Sequence, residues 1–245
     1  MKTLLISVVL LAVTASVASA GGINLLWNDC GSLGGGAGVM NRSFACNSNN
    51  GNNDLYVSFE PDVNINVSNA DLTIDLQSAG TVLPAWWQFK SPGTCRQASL
   101  STRVDPGTCF DLWEQQANFS IAAYFTVANA PQIIPSPNRA RILGSVGTGF
   151  FVSTVRPGTE YFCFQVRINN QKTVGTGSCA GCQEPVCLVL NELRLSTYDS
   201  GDFLLYAPLD SNFATWQGGA IGGPGCPGST PTLNRTWGRV KTLYR

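Results

Sequence analysis

Three stretches of the chain alternate apolar and polar side chains with period two. Val63-Asn64-Ile65-Asn66-Val67-Ser68 sets aliphatic side chains on one side and amides or a hydroxyl on the other. Leu72, Ile74 and Leu76 repeat the pattern, with Asp71, Thr73, Asp75 and Gln77 opposite them. Phe162, Phe164, Val166 and Ile168 form a third stripe, backed by Tyr161, Cys163, Gln165 and Arg167. Successive side chains of a strand point to opposite faces, so each stripe predicts a half-buried strand. Ile121 to Ala128 and Arg141 to Val146 are shorter strand candidates. After Cys187 the phase changes: Leu188 and Leu190 share one register, Leu193 and Leu195 the other. One extra residue at Asn191-Glu192, a β-bulge, accounts for the slip. The chemical alternative is a Glu192 side chain turned toward a site.

Turn-forming residues separate these stripes, among them Asn50-Gly51, Ser200-Gly201 and the Pro-Gly-Thr triplets at 92, 106 and 157. Helical spacing is sparse. Phe110 to Ala117, with Asp111 near its start, offers two turns. Thr236 to Arg245 offers a short C-terminal helix, with Trp237, Val240 and Leu243 or Tyr244 three or four apart. Many short strands between turns predict an all-β fold: an antiparallel β-sandwich, jelly-roll-like, with loops stapled by disulfides. One domain is expected over 21–245. Its end, 217–245, is read as a Gly/Pro-rich strap followed by the helix.

Residues 1–20 read as a secretory signal peptide. Lys2 is the positive start, Leu4 to Val13 the apolar run and Ala18-Ser19-Ala20 the cleavage pattern. No later segment reaches the ~20 consecutive apolar residues of a membrane-spanning helix. The expectation is a secreted protein, extracellular, periplasmic or at the cell surface.

Composition then removes whole classes of chemistry. Lys and Arg total 15, as do Asp and Glu, and charged residues make up only 12%. No basic stripe is present to collect phosphates, which argues against a nucleic-acid partner. The chain contains no histidine. Ser-His-Asp and Cys-His catalysis and every His-containing zinc site are therefore excluded. No cofactor is predicted.

The 9 cysteines all follow the signal segment. Cys179-Ala-Gly-Cys182 admits three readings. A structural zinc site usually brings two such pairs, and only one is present. A thioredoxin-like pair needs a helix N-terminus after it, whereas an apolar strand follows Pro185. Covalent stapling in an oxidising compartment is the reading that remains. Local pairs Cys30–Cys46 and Cys95–Cys109 are expected, the second because each cysteine follows a Pro-Gly-Thr turn. Further pairs are expected among Cys179, Cys182, Cys187 and Cys226, with Cys163 as the candidate free thiol.

Several segments together resemble a group of uncharacterised exported bacterial proteins of similar length. They are Trp27-Asn28-Asp29-Cys30-Gly31, Asp75 to Ala79, Leu83 to Lys90, the Cys179–Cys182 stretch, and the segments from Thr215 and from Asn234. The resemblance implies an envelope or extracellular location and a single module. It carries no functional residue across.

Few side chains suggest a site. Trp86-Trp87 offers an indole for stacking on a sugar ring. If they are neighbours on a strand, only one of them can join such a platform while the other enters the core. Asp71, Thr73 and Asp75 line one polar face, but i and i+4 on a strand lie about 13 Å apart, too far for paired-carboxylate chemistry without another strand. The Asn-rich stretch from Cys46 to Tyr56 lacks the spacing of a calcium loop. The leading reading is a non-enzymatic, exported β-sandwich with a structural, adhesive or carbohydrate-binding role, its partner an extracellular polysaccharide or another surface protein. The alternative is a carboxylate-dependent glycan hydrolase on a jelly-roll frame, which requires two Asp or Glu converging in a cleft.

Overall fold

The computed structural model describes residues 21–90, 92–197 and 201–218. The expected signal segment, Cys226 and the expected C-terminal helix lie outside the described residues. The chain lays down β1 (Gly22–Trp27), β2 (Asn41–Arg42), β3 (Asn52–Glu60), β4 (Ile65–Ser78) and β5 (Leu100–Arg103). There follow β6 (Phe110–Asp111), β7 (Phe119–Thr126), β8 (Arg139–Gly147), β9 (Ser153–Val155) and β10 (Tyr161–Asn169). β11 (Val186–Thr197), β12 (Gly201–Leu205) and β13 (Phe213–Trp216) complete the frame. Two sheets result. The smaller runs β1-β3-β10-β5, with β6 beside β10. The larger runs β2-β13-β11-β4-β8-β7, with β12 on β11 and β9 on β4. The pairing is antiparallel apart from the short β6–β10 and β13–β2 contacts. This is the all-β sandwich that the period-two stripes predict.

Apart from Val63 and Asn64, which precede it, the first two stripes are one strand of 14 residues, β4. Ser196 pairs with Asn69 and Thr197 with Val67, which leaves Ser68 as an extra residue. Its hydroxyl donates to the Ser196 carbonyl at 3.2 Å. The bulge moves the apolar set from Ile65 and Val67 to Ala70, Leu72, Ile74 and Leu76, and keeps both halves facing the core. β11 does the same: Leu190 pairs with Ile74 and Glu192 with Thr73, so Asn191 is the bulged residue. Glu192 lies exposed on the outer face. A third bulge, at Cys163 in β10, turns Cys163 and Phe164 together into the core. Cys163 is the free cysteine among the described residues. Burial pushes its pKa up, so the thiol stays protonated and inert.

Phe110 to Ala117 does not form a helix. Asp111 accepts from the amides of Trp113 and Gln115, at 2.9 and 2.8 Å, and closes a turn. Glu114 and Gln115 then take left-handed backbone, at φ 48° and 64°, which a right-handed helix cannot contain.

Three disulfides join described residues: Cys30–Cys109, Cys46–Cys182 and Cys95–Cys179. Cys187 is disulfide-bonded as well. The local pairs Cys30–Cys46 and Cys95–Cys109 do not form. The strands between their members carry them to different parts of the sandwich, and each sulfur meets one from a distant segment. The three bridges span 79, 136 and 84 residues. In the chain-entropy account each restrains the unfolded chain by about 4–5 kcal/mol. Disulfides of this kind persist in oxidising, non-cytoplasmic compartments. Among the described residues no helix is long and apolar enough to cross a membrane.

Glu160, fully buried at the start of β10, organises the Gly-rich segment beside Cys30–Cys109. Its carboxylate accepts from the Gly31 and Gly34 amides at 2.9 and 3.1 Å, and from the Asn24 side chain at 2.8 Å. The Ser58 hydroxyl is a fourth donor. A β-carbon on Gly31 would lie 2.6 Å from Glu160 Oε2 and 2.7 Å from Asn24 Nδ2, so only glycine fits there. A buried carboxylate is tolerated because each oxygen meets fixed donors.

Two outcomes are expected. Peptide mapping of the non-reduced protein finds Cys30–Cys109, Cys46–Cys182 and Cys95–Cys179, while Cys163 reacts with a thiol reagent only after denaturation; recovery of a Cys30–Cys46 peptide contradicts this pairing. Glu160→Ala leaves several buried donors unmet and lowers the unfolding free energy by about 3 kcal/mol or more, read from denaturant melts. An unchanged melt removes Glu160 from this role.

Candidate functional site

Trp86 and Trp87 are not strand neighbours. They occupy a short 3-10 turn, Ala85–Trp87, entered through Pro84. Both are fully buried. Trp86 lies 4.8 Å from the Trp216 ring and Trp87 lies 5.3 Å from it, and both rings meet Phe89. The Trp86 indole N–H donates to Thr173 Oγ1 at 3.0 Å. Neither ring presents a face to solvent, so the sugar-stacking platform expected from these two residues is overturned. In a 3-10 turn successive side chains diverge by about 120° and not by the 180° of a strand, so both indoles can enter the core.

Cys179-Ala-Gly-Cys182 lies against this turn and fastens it. Cys179 is tied to Cys95 and Cys182 to Cys46. The Ala180 carbonyl accepts from the Trp86 amide at 2.9 Å. Gly181 has φ 107°, and a β-carbon there would sit 2.1 Å from Pro84 Cβ. The Cys182 carbonyl accepts from the Trp216 indole at 2.6 Å. Both thiols of the motif are therefore bonded to partners outside it, and the segment is a clamp.

Arg96, 1% exposed, completes the clamp. Its guanidinium lies 3.5 Å from the Trp86 ring centroid and donates to the carbonyls of Trp86 and Gln171, at 2.9 and 3.0 Å, and to that of Asn169. Burial lowers its pKa to about 9, still well above neutrality, so the group is charged.

The polar face of β4 is occupied by ion pairs. Arg141 binds Asp75 through two nitrogens, at 2.6 and 2.8 Å, and the bulged Asn191 donates to the same carboxylate at 2.8 Å. Arg194 pairs with Asp71 at 2.8 Å. Each aspartate raises the pKa of its arginine by accepting its hydrogen bond. Asp71 and Asp75 thus form the charged ladder of an open sheet face, with no cleft between them.

Beside this ladder the same face turns apolar. Phe119, Ile121, Ala123 and Phe125 point outward from β7, and Leu143 from β8. Phe119 is 44% exposed, Ile121 61% and Leu143 37%. Ala123 pairs directly with Leu143, and Ile121 with Ser145, so Ile121 and Leu143 are diagonal neighbours on one surface. Although β7 ends the sheet, side chains close its edge. Thr102 Oγ1 donates to the Ser120 carbonyl at 3.1 Å, Lys90 Nζ to that of Ala122 at 2.7 Å, and Asn129 Nδ2 to that of Tyr124 at 3.2 Å. An added strand would have to displace all three. What β7 offers is its face.

A shallow groove of about 540 Å³ lies along the Gly-rich segment, between Leu26, Val39, Met40 and Asp210. Asp29 approaches Cys30 and Cys109 there, but the two sulfurs are bonded to each other and are not free to bind a metal. The sequence suggested neither the β7–β8 face nor Glu160. Ile121 was visible only as part of a strand, since its exposure depends on which face the neighbouring strands cover.

No protein-family model and no curated protein matches the sequence. Among solved structures, a cohesin module from a Clostridium perfringens family 33 glycoside hydrolase is similar with TM-score 0.37 and 11% identity, over 81% of this chain and 97% of that one. Spo0M, a sporulation control protein from Bacillus subtilis, is similar with TM-score 0.25 and 9% identity, over 77% of this chain and 49% of that one. At these scores the sandwich rests on its own strand pairing and not on either likeness.

Proposed function

We propose that the chain is an exported, non-enzymatic contact module that docks onto another protein at or beyond the cell surface. The outer face of the larger sheet, at β7–β8, makes the contact. One observation carries this reading: Phe119, Ile121 and Leu143 are exposed together on adjacent strands. Contiguous apolar surface of this kind, rimmed by polar groups, marks interaction sites. The rim is the ladder of Asp71, Asp75, Arg141 and Arg194. An apolar centre with a charged rim suits a protein surface. The two indoles proposed for stacking on a sugar ring are buried.

The test compares retention of the purified protein on envelope fragments of the producing cells, on protease-treated fragments and on insoluble polysaccharides. Binding is expected on untreated fragments only. Ile121→Asp combined with Leu143→Asp should weaken it at least tenfold with little change in melting temperature. Retention on polysaccharide, or binding indifferent to the double substitution, rejects the reading.

A further inference from the structure

The outer face of the larger sheet is open at one end and closed at the other. At β7–β8 its apolar side chains meet solvent. At β11–β13 they do not: Cys187 is 1% exposed, Val189 7% and Phe213 9%. All three point away from the sandwich core, because their strand neighbours Val186, Leu188, Leu190 and Ala214 fill it. They form a small cluster of their own, which no other described hydrophobic residue joins. Val189 pairs with Phe213, and Cys187 pairs with Thr215, itself fully buried. On the other side of Cys187, Gln77 has its side-chain oxygen shut off from water, with no hydrogen-bond partner among the described residues. An antiparallel sheet whose outer face is free shows that face to water, so this end is covered.

The cysteines identify the cover. Of the 9 in the chain, six pair with one another. Cys163 is free and buried in the core. Cys187 is disulfide-bonded, and Cys226 is the one cysteine of the chain left to bond it. The backbone leads the same way. Gln217 and Gly218 follow β13 with φ 59° and 68°. Two successive residues with positive φ are the mark of a tight chain reversal. Gln217 is pinned at that point: its amide donates to the Arg42 carbonyl at 2.8 Å and its side chain to the Phe44 carbonyl at 2.8 Å. The 8 residues from Gly219 to Cys226 can span up to about 26 Å. Cys187 lies one strand over from Thr215, roughly 5 Å away, and Thr215 is only three residues back along the chain from Gly218. The tether therefore reaches with slack.

We propose that the C-terminal segment, 219–245, folds back over the outer face of β11 and β13 and is fastened there by a Cys187–Cys226 disulfide. The segment supplies the sulfur that Cys187 bonds and, in Ile221, Trp237, Val240 and Leu243, apolar side chains to lie on Val189 and Phe213. Forming the bond joins the two sulfurs and takes one proton and one electron from each thiol. The acceptor is the disulfide of a thiol oxidoreductase in the exporting compartment, which leaves as a dithiol by exchange. The strap closes one half of the sheet's outer face and leaves the β7–β8 half as the surface open to a partner. It goes beyond the docking reading above and does not depend on it.

Peptide mapping of the full-length exported protein, alkylated before any reduction, reads the bond. Cys187 and Cys226 should be recovered in one cross-linked peptide pair, from protein that runs as a monomer on a non-reducing gel. An alkylated Cys226, or Cys187 joined to a cysteine of another molecule, overturns the proposal. Hydroxyl-radical footprinting reads the cover. Phe213 should be labelled about fivefold less than Phe119, in line with exposures of 9% and 44%. Joint replacement of Cys187→Ser and Cys226→Ser should raise Phe213 labelling toward that of Phe119, while Phe164 in the core stays protected. Equal labelling of Phe213 and Phe119 in the wild type, or no rise in a folded variant, overturns the strap. If the variant fails to fold, Phe164 is labelled too, and the wild-type ratio together with the cross-link map decides. Neither readout involves Ile121 or Leu143, so failure here leaves the docking face standing.

Discussion

A cation buried without a carboxylate partner among the described residues governs the end of the sandwich where the chain leaves regular structure. Arg96 replaces its lost hydration with three backbone carbonyls and the face of Trp86. Those carbonyls belong to two separate loops, one carrying the indole turn and one leaving β10. Backbone shielded from water must have its polar groups met. The guanidinium supplies donors to both at once. Its planar fork suits this task better than an ammonium would, because several donors leave one rigid group in fixed directions.

The disulfides act on the same problem from the unfolded side. Arg96 fixes where the loops lie once folded, and Cys95–Cys179 and Cys46–Cys182 limit how far they can stray before that. Both bridges converge on one four-residue turn, so two distant segments are drawn to a single point beside the Trp86 and Trp216 rings. Gly181 is what allows the convergence: with Pro84 pressed against its α-carbon, no other residue fits. A redox-active pair would need these sulfurs to bond to each other and to reach solvent. Here Cys179 and Cys182 are nearly buried and each bonds outside the motif.

How much of this could be read from the chain follows from the range of each interaction. Stripes such as Leu72-Ile74-Leu76 were legible because strand periodicity is local, and the slip at Asn191 was legible because it breaks that periodicity within a few residues. The bulge at Ser68 was not: the two stripes it joins looked like separate strands. The Trp86-Trp87 pair misled because its reading assumed a strand, while Pro84 sets up a 3-10 turn. Cysteine partners were illegible beyond their number, since pairing depends on which loops meet at the ends of the sandwich. Glu160 gave no signal, because a lone Glu before a strand looks the same whether it meets water or four buried donors.

The surface follows from what the frame leaves over. The edge of β7 is closed by Thr102, Lys90 and Asn129, and β1 is covered by backbone bonds to Ala207, Leu209 and Ser211. Strand addition, the usual liability of an open sheet, is therefore met at both of these edges. With charged residues at only 12%, long-range repulsion does little to keep molecules apart. Closing the edges becomes the main protection against disordered association. It also means that contacts made by this molecule fall to side chains on faces and turns. There Ile121 and Leu143 are exposed on backbone fixed by ladder pairing. Rigid presentation lowers the ordering entropy lost on association, so a small apolar area held this firmly can bind more tightly than its size alone suggests.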